Sequence, residues 1–100
     1  MNEIILASAA YFEKELGLPE IQQNLNEEDL IHLLSPIIKR MLDRDFERLL
    51  GLCYRIDLGE HKLKKILYES DPESMAEELA SALVKRQIQK LEIRQRYKDL

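Results

Sequence analysis

The stretch Asn26–Ile56, NEEDLIHLLSPIIKRMLDRDFERLLGLCYRI, decides the fold of this chain. Its apolar residues recur every three or four positions. At about 100° per residue they fall on one side of a helix. Asn26 is a suitable N-cap, and the three acidic residues that follow it complement the helix dipole. The pattern predicts a helix of roughly 30 residues, about 45 Å long if straight.

Pro36 interrupts this stretch and leaves two interpretations open. Ser35 and Pro36 can start a new helix, because serine is a good N-cap and proline suits the first helical position. Alternatively, Pro36 kinks one long helix and frees the carbonyl of His32. The apolar pattern continues through Pro36 and favours the kinked helix.

The segment before this stretch predicts a first helix from about Glu3 to Leu16. Its apolar residues have helical spacing. Gly17 suits a left-handed helix stop, and Pro19 cannot easily continue the helix.

The segment after it predicts two further helices. Asp57 and Glu60 have the spacing of a capping box, which opens a short helix to about Glu69. Ser70–Glu73 forms a second cap, with proline in the first turn, and opens a helix that continues to about Lys98.

The composition favours helix throughout the chain. Hydrophobic residues make up 45% and charged residues 34%, with only three glycines and three prolines. One hundred residues fit one domain, 1–100. We therefore expect an all-α fold, a small four-helix bundle-like domain with two long antiparallel helices and two shorter ones.

Asp45 and Gln87 are polar residues inside apolar stripes. Asp45 lies within the stripe of the long central helix, and Gln87 within that of the last helix. An unpaired buried carboxylate costs several kcal/mol, so we expect the two side chains to form a buried polar pair that sets the register between the helices. The functional alternative is a carboxyl group of raised pKa that lines a pocket.

An arginine flank on the central helix is the candidate site for polyanions. Its members lie within about 80° of each other and are Arg40, Arg44, Arg48 and Arg55. Such a row can bind phosphates. Neighbouring acids favour a salt-bridged flank instead, and the aromatic residues of a single-strand binder are missing.

The two ends of the chain carry opposite charge. Residues 1–29 contain seven acids against Lys14 alone, whereas residues 85–98 contain six basic residues and one acid. Ile93, Tyr97 and Leu100 form a second apolar face near the C terminus, opposite Val84 and Leu91. Either this tail frays or the second face contacts a partner chain. An acidic surface on that partner would complement the basic residues around this face.

The sequence predicts no catalytic, cofactor or metal site. Asp29 and His32 have the spacing of half a helical di-metal site, but a second half is missing. The single Cys53 forms no internal disulfide and suits packing in a reducing compartment. The N terminus lacks a basic region and a long apolar run, so we expect a cytoplasmic protein that does not enter membranes.

Three runs carry a resemblance to a group of proteins. Arg44–Leu50, Tyr54–Glu60 and Ala80–Lys90 resemble segments of short, uncharacterised helical proteins of Bacteroidota. The similarity covers about the last 60 residues. It implies a small soluble helical protein and brings no activity or ligand with it.

These patterns favour a non-enzymatic protein that acts through protein–protein contacts and self-associates as a homodimer. The reasons are the uncovered second face and the complementary charged ends. The alternative is binding of nucleic acid or another polyanion by the arginine flank and the basic C-terminal helix. An enzyme or ligand site around Asp45 is a third hypothesis, and it requires a cavity with converging polar groups.

Overall fold

The computed structural model describes residues 3–21 and 24–98. In these residues the chain forms five helices and no strand: α1 (Glu3–Leu16), α2 (Glu27–Arg44), α3 (Phe46–Ile56), α4 (Glu60–Glu69) and α5 (Met75–Lys98). The all-α prediction is confirmed. The predicted count of four helices is wrong, because the long central helix is divided at Asp45 into α2 and α3.

The first helix has the predicted bounds. Gly17 adopts a left-handed conformation with φ 65° directly after it. The amide of Leu18 then donates to the Glu13 carbonyl at 2.9 Å, and the amide of Ile21 donates to Glu13 Oε1 at 2.6 Å. Glu13 therefore holds the chain that leaves α1.

The start of α2 is a capping box. Asp29 N–H donates to Asn26 Oδ1 at 2.8 Å, and Asn26 N–H donates to Asp29 Oδ2 at 3.1 Å. Pro36 lies inside α2. No new helix begins at Ser35, whose hydroxyl donates to the carbonyl of Ile31 at 2.8 Å. Of the two interpretations of Pro36, the single helix through it is confirmed.

The predicted capping box of α4 is wrong, because Asp57 ends α3 instead of starting α4. Asp57 has φ 62° and ψ 50°, and its amide bonds to the carbonyl of Tyr54. The amide of Leu58 donates to the carbonyl of Cys53 at 3.0 Å. These two bonds form a Schellman motif with an aspartate in the left-handed position. Gly59 precedes α4, which has no side-chain cap.

The last helix begins at Met75, later than the predicted cap at Ser70. The Asp71 carbonyl accepts from the amides of Ser74 and Met75, both at 3.0 Å, so residues 72–74 form a turn. The helix extends to Lys98, the last described residue.

The longest helix, α5, packs against each of the other four, most extensively against α2. The largest fully buried apolar side chains come from α1, α2, α3 and α5: Phe12, Leu30, Leu34, Ile38, Leu49, Leu52, Ile56, Leu79, Leu83 and Val84. Each contributes about 1.5–3 kcal/mol through burial. None of the described helices has both the length and the apolar character needed to cross a bilayer.

Candidate functional site

Asp45 is exposed to solvent, so the prediction of a buried carboxylate at this position is wrong. Its backbone, with φ −148° and ψ 54°, leaves the helical conformation. The amide of Asp45 still donates to the Met41 carbonyl at 2.9 Å, and its carbonyl accepts from Leu49 N–H at 3.2 Å. The break in the helix directs the side chain away from the core.

Gln87 is buried, with 6% of its surface exposed, and this part of the prediction is confirmed. The predicted pair with Asp45 does not form, because Asp45 lies in solvent. Within the described residues, Gln87 Oε1 has no hydrogen-bond partner. An unsatisfied buried acceptor costs about 1–3 kcal/mol, so Gln87 stabilises this core less than an apolar side chain of the same size would.

Two of the four predicted arginines bind the C-terminal turn of α1. Arg55 Nε donates to Glu15 Oε2 at 2.9 Å, and Arg48 Nη2 donates to the Glu15 carbonyl at 3.2 Å. Burial and the Glu15 carboxylate raise the pKa of the neighbouring Tyr11, and Arg55 opposes this effect. These two arginines connect α3 to α1.

The other two arginines, Arg40 and Arg44, are exposed on α2, before the break at Asp45. The predicted flank is thus divided between two helices. Arg48 and Arg55 follow the break and bind Glu15 of α1. A continuous row of four free guanidinium groups does not form.

Two basic residues of α5 bind the C-terminal end of α3. Arg86 Nε donates to the Asp57 carbonyl at 2.9 Å, and Arg86 Nη2 lies 3.2 Å from Asp57 Oδ2. Lys90 Nζ donates to the Arg55 carbonyl at 3.1 Å. Cations are favourable at a helix C terminus, where carbonyl groups lack helical partners. Sequence reasoning missed these contacts, because no local signal shows which helix end meets α5.

The last part of α5 extends as an exposed helix. Every residue from 92 to 98 is exposed, including Ile93 at 39% and Tyr97 at 73%. Leu100, the third residue of the predicted second face, lies outside the described residues. The two apolar side chains lie four positions apart, so they share one side of the helix. Residues 92–98 are helical.

An open groove of about 830 Å³ lies between α4 and α5. The loop of residues 70–74 joins these helices as a hairpin, so residues near the loop face each other. Glu69, Glu77 and Glu78 line the end near the loop. The far end is basic and is lined by His61, Lys62, Lys65 and Lys85. This groove was not expected from the sequence, since spacing within α4 and within α5 does not show how the two helices pack against each other.

Cys53 is buried, and His32 lies in a surface ion pair. Burial raises the pKa of the Cys53 thiol from 9.0 to about 11, which disfavours the reactive thiolate. His32 Nε2 lies 3.6 Å from Glu77 Oε1 on the surface. In residues 3–21 and 24–98, no three His, Cys, Asp or Glu side chains are placed to hold a metal ion.

No protein-family model, curated protein or solved structure matches this chain. The similarity to helical proteins of Bacteroidota therefore stays a prediction.

Proposed function

We propose that this chain is a non-enzymatic protein–protein interaction module that associates with a second copy of itself through the end of α5. The observation that carries this proposal is the exposed helix of residues 92–98, with Ile93 and Tyr97 uncovered. Adjacent exposed apolar residues on a rigid helix are typical of interaction surfaces, where tyrosine is enriched.

The charge around these two residues supports a second copy as the partner. Residues 92–98 carry Arg94, Arg96 and Lys98 against Glu92. The complementary acidic residues lie in α1 and at the start of α2. Among the described residues, no ion pair joins positions 90–98 to positions 3–29. Within the described residues Glu3, Glu27 and Glu28 form no ion pair, so these acids of one copy are available to the basic helix end of another.

Light scattering coupled to size-exclusion chromatography, over a micromolar concentration series, tests this proposal. We expect the mass to rise with concentration toward that of a dimer. Replacing Ile93 and Tyr97 together by aspartate should give a monomer, because it introduces charge into the apolar contact. Tyr68→Asp is the matched control, since Tyr68 is 81% exposed on α4. A monomeric wild type, or equal loss with both variants, would refute the proposal.

Polyanion binding has weaker support, because Arg48, Arg55, Arg86 and Lys90 already bind protein groups. The free cations of this alternative are Arg40 and Arg44 on α2 and those at the end of α5. It predicts a gel shift at low ionic strength that disappears with salt. The absence of a shift would dismiss it.

We place this module in the cytoplasm, because its single cysteine suits a reducing compartment.

A further inference from the structure

The buried residues of α2 and α3 would lie on one face if the two helices were continuous. At about 100° per residue, this face covers an arc of about 140°. Its members are Leu30, Ile31, Leu34, Ile38, Met41, Leu49, Leu52, Cys53 and Ile56. Asp45 would lie at the centre of the same arc. A continuous helix in this fold would therefore place a carboxylate in the middle of its apolar face.

No local breaker explains the interruption at Asp45. No glycine or proline lies between Met41 and Leu49. The Asp45 side chain does not cap α3, although aspartate is a favourable N-cap. The amides of residues 46–48 make no helical bond back to α2, and the ladder resumes at Leu49.

The balance of energies identifies the charge of Asp45 as the cause. Residues 46–48 are exposed, so water can bind their free amides. Each of the three lost hydrogen bonds then costs about 0.5–1.5 kcal/mol, and the three together cost roughly 1.5–4.5 kcal/mol. Burying an unpaired carboxylate costs several kcal/mol at the least. The break costs less free energy than burial of the carboxylate, because it moves Asp45 into solvent.

We propose that the charge of Asp45 keeps α2 and α3 apart, and that without it they fuse and the chain exchanges residues 46–98 with a second copy. Fusion requires Asp45 to move from φ −148° and ψ 54° to about −63° and −42°. Such a rotation redirects all of α3, α4 and α5. They can no longer pack on α1 and α2 of the same chain.

A second copy can restore the contacts between residues 3–44 and residues 46–98 that fusion breaks. The pair between Arg55 and Glu15, at 2.9 Å, and the packing of α5 on α2 both cross the break at Asp45. In the exchanged dimer, these contacts form between chains with the same residues. Such exchange of identical elements is a low-cost route to a dimer. The inference goes beyond the proposed function and does not involve the exposed end of α5.

Asp45→Leu tests the inference, and Asp43→Leu is its matched control. Both aspartates are exposed, so neither change removes a buried contact. We expect Asp45→Leu to yield a dimer that stays intact for hours after dilution, because separation requires the helices of both copies to detach. Asp43→Leu should match the wild type. Equal behaviour of the two variants would overturn the inference.

A second change distinguishes exchange from surface contact. Phe46→Pro places proline inside the fused helix, at a cost of about 3 kcal/mol, but at the first position of α3 in the broken form. When Phe46→Pro is added to Asp45→Leu, the slowly dissociating dimer should no longer form. Replacing Ile93 and Tyr97 by aspartate in the Asp45→Leu variant should not affect the slowly dissociating dimer. A slowly dissociating dimer that persists after Phe46→Pro would contradict fusion. A dimer that is lost when Ile93 and Tyr97 are replaced by aspartate would be a surface contact.

Discussion

Replacing Gln87 by methionine should stabilise the protein. The Gln87 side chain is 6% exposed, and its Oε1 has no hydrogen-bond partner among the described residues. Methionine has a similar length and volume, so it fills the same space without the unsatisfied acceptor. Removing a penalty of about 1–3 kcal/mol should raise the free energy of unfolding by about 1–2 kcal/mol. For a domain of this size, each kcal/mol corresponds to about 4–8 °C in Tm.

Urea unfolding followed by circular dichroism measures this change, and Gln95→Met is the control. Gln95 is exposed on the same helix, so its replacement removes no buried polar group. We expect a higher midpoint for Gln87→Met with an unchanged slope, and little change for Gln95→Met. A lower midpoint for Gln87→Met would show that the buried amide is satisfied in solution, and it would refute the reasoning.

Three further predictions concern the end of α3. Cys53 should react slowly with a thiol reagent in the folded protein and rapidly in denaturant, because burial raises its pKa to about 11; rapid reaction of the folded protein would contradict its burial. The same shift means that the unfolded chain loses this proton first, so stability should fall as pH rises from 9.0 toward 11, less steeply in Cys53→Ala. Asp57→Ala should lower the unfolding free energy by about 1 kcal/mol and Asp57→Gly by less, because only glycine relieves the left-handed φ of 62°. Both Asp57 variants lose only the side-chain contact with Arg86 Nη2, so equal effects in thermal unfolding would exclude a role for the backbone conformation.

Several elements could be predicted because their signals are local. Asn26 and Asp29 cap α2 with bonds between residues three positions apart, and Gly17 ends α1 with its own backbone conformation. The burial of Gln87 followed from helical spacing alone. These features depend on a few neighbouring residues and the helical period.

The candidate surface was only partly predictable. Ile93 and Tyr97 were identified from spacing, and both are exposed. By contrast, Arg48 and Arg55 were expected in a flank with Arg40 and Arg44, and they instead bind Glu15 on α1. Spacing shows which residues share a helix face, but not which other helix that face meets.

The sequence by itself determined that this chain is helical, where its first helix ends, and how its second helix begins, since capping and periodicity act over a few residues. Only the tertiary structure decided where the long apolar stretch divides. The residues next to Asp45 permit a continuous helix. The helix is interrupted because a continuous helix would bury Asp45 in the core. Burial of a carboxylate is a cost that arises only when parts of the chain distant in sequence exclude water from its surroundings.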